Sequence, residues 1–84
     1  MDEQQERFLR AIYEVQDEIG RANVMSIASR LDLDILNSKD DRDLYQQTTL
    51  ELRDSGYIDC PANDYAVTCG IVRLTGAGQE YAES

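Results

Sequence analysis

Apolar residues recur with helical spacing in the first third of the chain. Phe8, Ile12, Val15 and Ile19 follow one another at intervals of 4, 3 and 4 residues, which places them on one face of an α-helix over residues 2–19. Gly20 comes directly after this pattern and is a natural helix end. A second helix is predicted after Asn23, whose side chain can cap it, because apolar residues recur at positions 24, 27, 28 and 31.

A polar stretch over residues 32–43 separates this helix from a third, predicted over residues 40–55. Ser38 or Asp40 is expected to cap the third helix, and Gly56 to end it. Its inner face would carry Tyr45, Thr48 or Thr49, and Leu52. The apolar stripe is weak, since threonines hold its centre.

The period of the pattern then changes from 3.6 to 2. Residues 57–60 predict a strand, residues 61–64 a turn and residues 65–74 a returning strand. Thr75 is expected to cap a last short helix from residue 76 to about residue 83. The 84 residues therefore predict one α+β domain over residues 1–84, without repeats or linkers.

Three short segments carry a family resemblance: SIASRL at residues 26–31, LRDSGYI at residues 52–58 and IVRLTGAG at residues 71–78. They resemble, in this order, the second helix, the helix-to-strand junction and the wing closure of winged helix-turn-helix transcriptional regulators. With the first helix, the similarity covers nearly the whole chain. It implies a three-helix core, a two-stranded β-hairpin wing and a short C-terminal helix. An insert around residues 35–41 departs from the compact members of the class and alters the DNA-facing end.

The resemblance implies that the third helix enters the major groove of double-stranded DNA. Lys39, Arg42, Gln46 and Gln47 lie near the start of that helix, and Arg21 and Arg30 could reach phosphates from the segment before it. Glutamine can recognise adenine and arginine guanine. Residues 21–42 contain four basic and four acidic residues, whereas the flanking stretches are both negative. Because a neutral stretch repels phosphates less than a negative one, this charge distribution favours residues 21–42 as part of the DNA-binding surface.

The overall charge opposes DNA binding. Seventeen acidic residues against eight basic ones give a net charge of −9, which repels phosphates and anionic membranes. Asp40, Asp41 and Asp43 cluster at the start of the third helix, where capping and dipole compensation are their ordinary roles. Two conditions would restore DNA binding: a homodimer or larger assembly that concentrates the basic residues on one face, or a surface adapted to high salt.

The alternative function is a winged helix that binds a protein. It would use the acidic surface, or Leu44 and Leu50 on the exposed side of the third helix. A variant of this alternative is a DNA mimic that occupies the basic site of a partner protein.

Enzyme, metal and membrane functions find no support in the sequence. The chain contains no histidine, no phosphate-binding loop and no nucleophile elbow, so we expect no catalysis and no cofactor. Residues 32–43 have the length of an EF-hand loop but lack its central glycine and final glutamate. No apolar run approaches a membrane span and the N-terminus is acidic and polar, so we expect a cytoplasmic protein with Cys60 and Cys69 as thiols.

Overall fold

The computed structural model describes residues 1–62 and 70–84. Within these ranges the chain forms four helices and three strands. Their order is α1 (Glu3–Ile19), β1 (Ala22–Asn23), α2 (Val24–Leu31), α3 (Lys39–Asp54), β2 (Ile58–Ala62), β3 (Ile71–Leu74) and α4 (Gly76–Glu83). The strands form one antiparallel sheet in the order β1-β3-β2. The predicted α+β class is confirmed for the described residues.

The helices begin and end where the capping residues predict. The side chains of Asn23, Ser38 and Thr75 accept hydrogen bonds from backbone amides three residues ahead and cap α2, α3 and α4. Gly20 ends α1 in the left-handed conformation with a φ of 91°. Local chemistry therefore determines the helix boundaries.

The core lies where α1, α2 and α3 meet the sheet. Phe8, Ile12 and Val15 of α1 are fully buried there. Ile19 belongs to the same helix at the predicted spacing, but it is 57% exposed. Ile19 is the last residue of the helix, where the chain turns away at Gly20.

Helix α3 buries the predicted residues Tyr45, Thr48, Thr49 and Leu52. The Thr49 hydroxyl donates to the Tyr45 carbonyl at 2.7 Å, which lets this threonine occupy the core. Burial raises the pKa of the Tyr45 phenol. Leu44 and Leu50 are partly buried against the core, so their predicted exposure is wrong. The buried face of α3 is wider than the stripe that the sequence indicated.

The sheet differs from the predicted hairpin in two respects. Strand β1 pairs with β3 and was not predicted, because two residues are too short to show a period. Pro61 and Ala62 continue β2 instead of opening the turn predicted at residues 61–64. The β2–β3 register shifts between Asp59 and Ala62, which is where a proline can be accommodated in a strand. The remainder of that turn and residues 65–69 of the predicted returning strand lie outside the described residues.

Cys60 is disulfide-bonded, so the prediction that it is a thiol is wrong. The prediction assumed a reducing compartment, and the spacing of two cysteines does not decide their oxidation state. Cys69 lies outside the described residues. In residues 1–62 and 70–84, no helix is long and apolar enough to cross a membrane.

Candidate functional site

A half-open groove of about 810 Å³ lies between the start of α2, the loop before α3 and the β1–β3 edge of the sheet. Its lining is mainly apolar. It also includes two arginines, Arg21 just before β1 and Arg42 in α3. We call it the arginine-flanked groove and define it by Arg21, Met25, Ile35, Leu36, Arg42 and Ile71.

The loop before α3 forms one wall of this groove. Hydrogen bonds within the loop and from the first turn of α3 hold it in place. The Asp41 carboxylate accepts from the Asp34 amide at 2.8 Å, and the Asp34 carboxylate accepts from the Asn37 amide at 3.0 Å. The Arg42 guanidinium donates through Nη1 to the Ile35 carbonyl at 3.1 Å. These bonds fold the insert back on α3. They bury Ile35 to 7% exposure and leave the next residue, Leu36, 71% exposed at the rim.

Four of the six predicted DNA-binding residues belong to α3. Lys39, Arg42 and Gln46 are spaced by 3 and 4 residues and share one stripe of the helix, while Gln47 is exposed beside it. The Lys39 ammonium lies 2.8 Å from the Asp43 carboxylate in an exposed ion pair. The helix therefore presents one cation already paired with an acid, one guanidinium bonded to a carbonyl, and two amides.

The other two predicted residues lie near opposite ends of α2. Arg30 is in its last turn and forms ion pairs with Glu14 and Glu18 of α1, and the bond to Glu18 raises the pKa of Arg30. Arg21 precedes β1, is exposed, and forms no hydrogen bond or ion pair with any described residue. The structure thus brings Arg21 and Arg42 together at the groove and directs Arg30 to α1.

The three aspartates at the start of α3 differ in their contacts. Asp41 bonds the loop, Asp43 pairs with Lys39, and Asp40 is exposed in the first turn, where the helix dipole favours a negative charge. The cap itself is Ser38. Two of the three carboxylates therefore already contact groups of the protein.

Sequence reasoning missed the apolar part of the groove. Met25 and Ile71 come from elements far apart in the chain, and only the fold places them together. The one available signal was the apolar pair Ile35–Leu36 inside an otherwise polar stretch. The described residues contain no group of three His, Cys, Asp or Glu side chains that could hold a metal ion.

No protein-family model, curated protein or solved structure matches the chain.

Proposed function

We propose that this chain is a non-catalytic winged-helix domain that binds double-stranded DNA, as a transcriptional regulator would. The order of helices and strands and the β1-β3-β2 sheet are compatible with that fold. The three motifs that resemble winged helix-turn-helix regulators support it further. In this proposal α3 is the recognition helix.

One observation carries the proposal: Arg21 and Arg42 border the same groove at the start of α3, and neither forms an ion pair with a described carboxylate. Phosphate contacts need cations that are not already neutralised. Gln46 lies one turn after Arg42 on the same stripe of α3 and is placed to meet a base edge. Lys39 adds a third cation, since its exposed pair with Asp43 is weak enough to exchange for a phosphate.

Arg30 contributes least in this arrangement. Both Glu14 and Glu18 contact its guanidinium, so its charge is offset before any phosphate approaches. Arg30 therefore serves as the matched control for the groove arginines: it has the same chemistry and a different environment.

The test is a fluorescence-anisotropy titration of a random DNA duplex at several salt concentrations. Three phosphate contacts from Arg21, Lys39 and Arg42 predict a slope of about −3 for log affinity against log salt. Arg21→Glu should lower the affinity and reduce that slope by about one unit. Arg30→Glu should leave both nearly unchanged, and circular dichroism checks that each variant folds.

Absence of binding at low salt would overturn the DNA proposal. An equal loss of affinity in Arg21→Glu and Arg30→Glu would leave DNA binding in place but would overturn the role assigned to the groove arginines.

A second candidate is binding to a basic protein, which the net charge of −9 favours. Leu44 and Leu50 are partly buried and do not offer the exposed apolar surface that this function was expected to use. The acidic outer face of α1 remains, with Glu3, Glu6 and Asp17 exposed. Retention on an immobilised basic protein, combined with no affinity for the duplex, would favour this candidate.

A further inference from the structure

We propose that the arginine-flanked groove binds a small apolar carboxylate: a molecule with a hydrocarbon or aromatic body and a single negative charge. The apolar body would lie over Ile35 between Met25, Leu36 and Ile71. The carboxylate would bind the guanidinium groups of Arg21 and Arg42.

The distribution of exposed apolar side chains supports an apolar occupant. Six large hydrophobic residues are exposed in the described chain, and three of them, Met25, Leu36 and Ile71, line this one groove. Single exposed apolar residues are ordinary, whereas several that converge on a concave surface mark a binding site. The groove volume of about 810 Å³ lies in the range of roughly 300–1,000 Å³ found for small-molecule sites.

The polar groups of the groove select an anion. Arg42 uses one N–H to hold the Ile35 carbonyl and keeps further donors, and Arg21 has all of its donors unused among the described residues. No aspartate or glutamate is among the described residues that line the groove. A guanidinium pairs with a carboxylate through two parallel hydrogen bonds, which makes carboxylate the matching ligand group.

The whole-molecule charge selects a monoanion over an acidic peptide. Each additional negative charge on a ligand is repelled by a chain of net charge −9. Repulsion from distant carboxylates is screened at physiological salt, where the screening length is about 8 Å, so a single charge in the groove is affected mainly by the charged groups closest to it. A polyanionic segment would extend outside the groove toward exposed acids such as Asp34 and Asp40.

A regulatory consequence follows, and it rests on the proposed DNA binding. Arg21 and Arg42 are the same groups that we assign to phosphate contacts. A carboxylate in the groove would occupy them and compete with DNA. The ligand site itself does not depend on this consequence.

The experiment uses the full chain and three probes of one shape: 2-naphthoate, neutral 2-naphthamide and cationic 2-naphthylmethylammonium. Binding is followed by ¹H–¹⁵N correlation spectra without DNA. We expect 2-naphthoate to bind at least about tenfold more tightly than the amide, the effect of charge-assisted hydrogen bonds, with the largest shifts at Met25, Leu36 and Ile71. The cation should bind more weakly than both.

Two groove variants and one control locate the site. Arg21→Gln should remove most of the preference for naphthoate over the amide, and Leu36→Asp should weaken binding of both. Arg53→Gln, at the far end of α3, should change neither, because Arg53 pairs with Asp54 outside the groove. Equal affinity for the acid and the amide, shifts centred elsewhere, or no binding at millimolar naphthoate would each overturn the proposal.

A competition titration separates this inference from the DNA function. Naphthoate that binds the groove and displaces the duplex supports both. Naphthoate binding in a chain that never binds DNA keeps the ligand site and removes the DNA function. DNA binding by a chain that does not bind naphthoate keeps the DNA function and removes the ligand site.

Discussion

At the scale of single residues, hydrogen bonds connect two of the segments that carry the family resemblance, residues 52–58 and residues 71–78. We call this connection the joint. The Thr75 hydroxyl donates to the Gly56 carbonyl at 2.6 Å and accepts from the Gly78 amide at 3.1 Å. The Thr75 amide donates to the Tyr57 carbonyl at 3.1 Å. Gly56 has a φ of 84°, which favours glycine as the chain turns from α3 toward β2. These motif residues hold the end of α3 against the start of α4.

Gly78 is required by this joint because a side chain there would meet the backbone. A Cβ atom added at Gly78 would lie 2.0 Å from the Tyr57 carbonyl oxygen, and backbone cannot move aside cheaply. We predict that Gly78→Ala lowers the free energy of unfolding by about 1–3 kcal/mol or more, measured by urea denaturation.

Gly76→Ala is the matched control, since α4 begins at Gly76 and a Cβ atom there meets nothing within 4 Å. Alanine is also a better helix former than glycine, so this variant should be neutral or more stable by up to about 1 kcal/mol. Equal destabilisation by both variants would contradict the joint and indicate a general sensitivity of α4.

At the scale of elements, side chains in the first turn of α3 hold the insert before this helix in place. Asp41, in the first turn of α3, reaches back to the Asp34 amide seven residues earlier. Arg42 reaches the Ile35 carbonyl from the next position. The insert therefore becomes a wall of the arginine-flanked groove.

Substitutions of Asp41 and Asp40, compared with each other, test whether the hydrogen bond from the Asp34 amide to the Asp41 carboxylate stabilises the protein. Both carry a negative charge in the first turn of α3, so removing either costs the same small interaction with the helix dipole. Only Asp41 also accepts the Asp34 amide. We predict that Asp41→Ala lowers the free energy of unfolding by about 1–2 kcal/mol and Asp40→Ala by less than about 0.5 kcal/mol, by urea denaturation. Similar losses in both would show that the bond contributes nothing beyond the charge.

The elements that the sequence predicted well are those with local causes. Helical periods and the caps at Asn23, Ser38 and Thr75 fixed all four helices to within about one residue. Strand β1 escaped prediction because its two residues depend on pairing with β3, nearly fifty positions away. Only part of the site was predictable. The basic residues of α3 stand out in sequence, but the apolar groove depends on Met25 and Ile71 meeting across the fold.

At the scale of the whole molecule, net charge is the largest electrostatic feature. The four ion pairs among the described residues are all at the surface, where each contributes about 0–1 kcal/mol. They leave the excess of acidic residues uncompensated. Salt weakens these pairs and also screens the general repulsion. With 17 acids against 8 bases, we expect relief of repulsion to outweigh the lost pairs.

We therefore predict that the free energy of unfolding rises as sodium chloride increases from dilute buffer to about 1 M, where the screening length falls to about 3 Å. Urea denaturation at fixed pH measures it. A double variant, Asp17→Lys with Glu80→Lys, changes two exposed acids and moves the net charge from −9 to −5. If repulsion is the cause, the variant should be more stable than the parent in dilute buffer and show a smaller gain with salt. An unchanged salt response would mean that salt acts on apolar burial, which the two substitutions leave intact. Full stability of the parent in dilute buffer would remove high-salt adaptation as the explanation of the acidic surface.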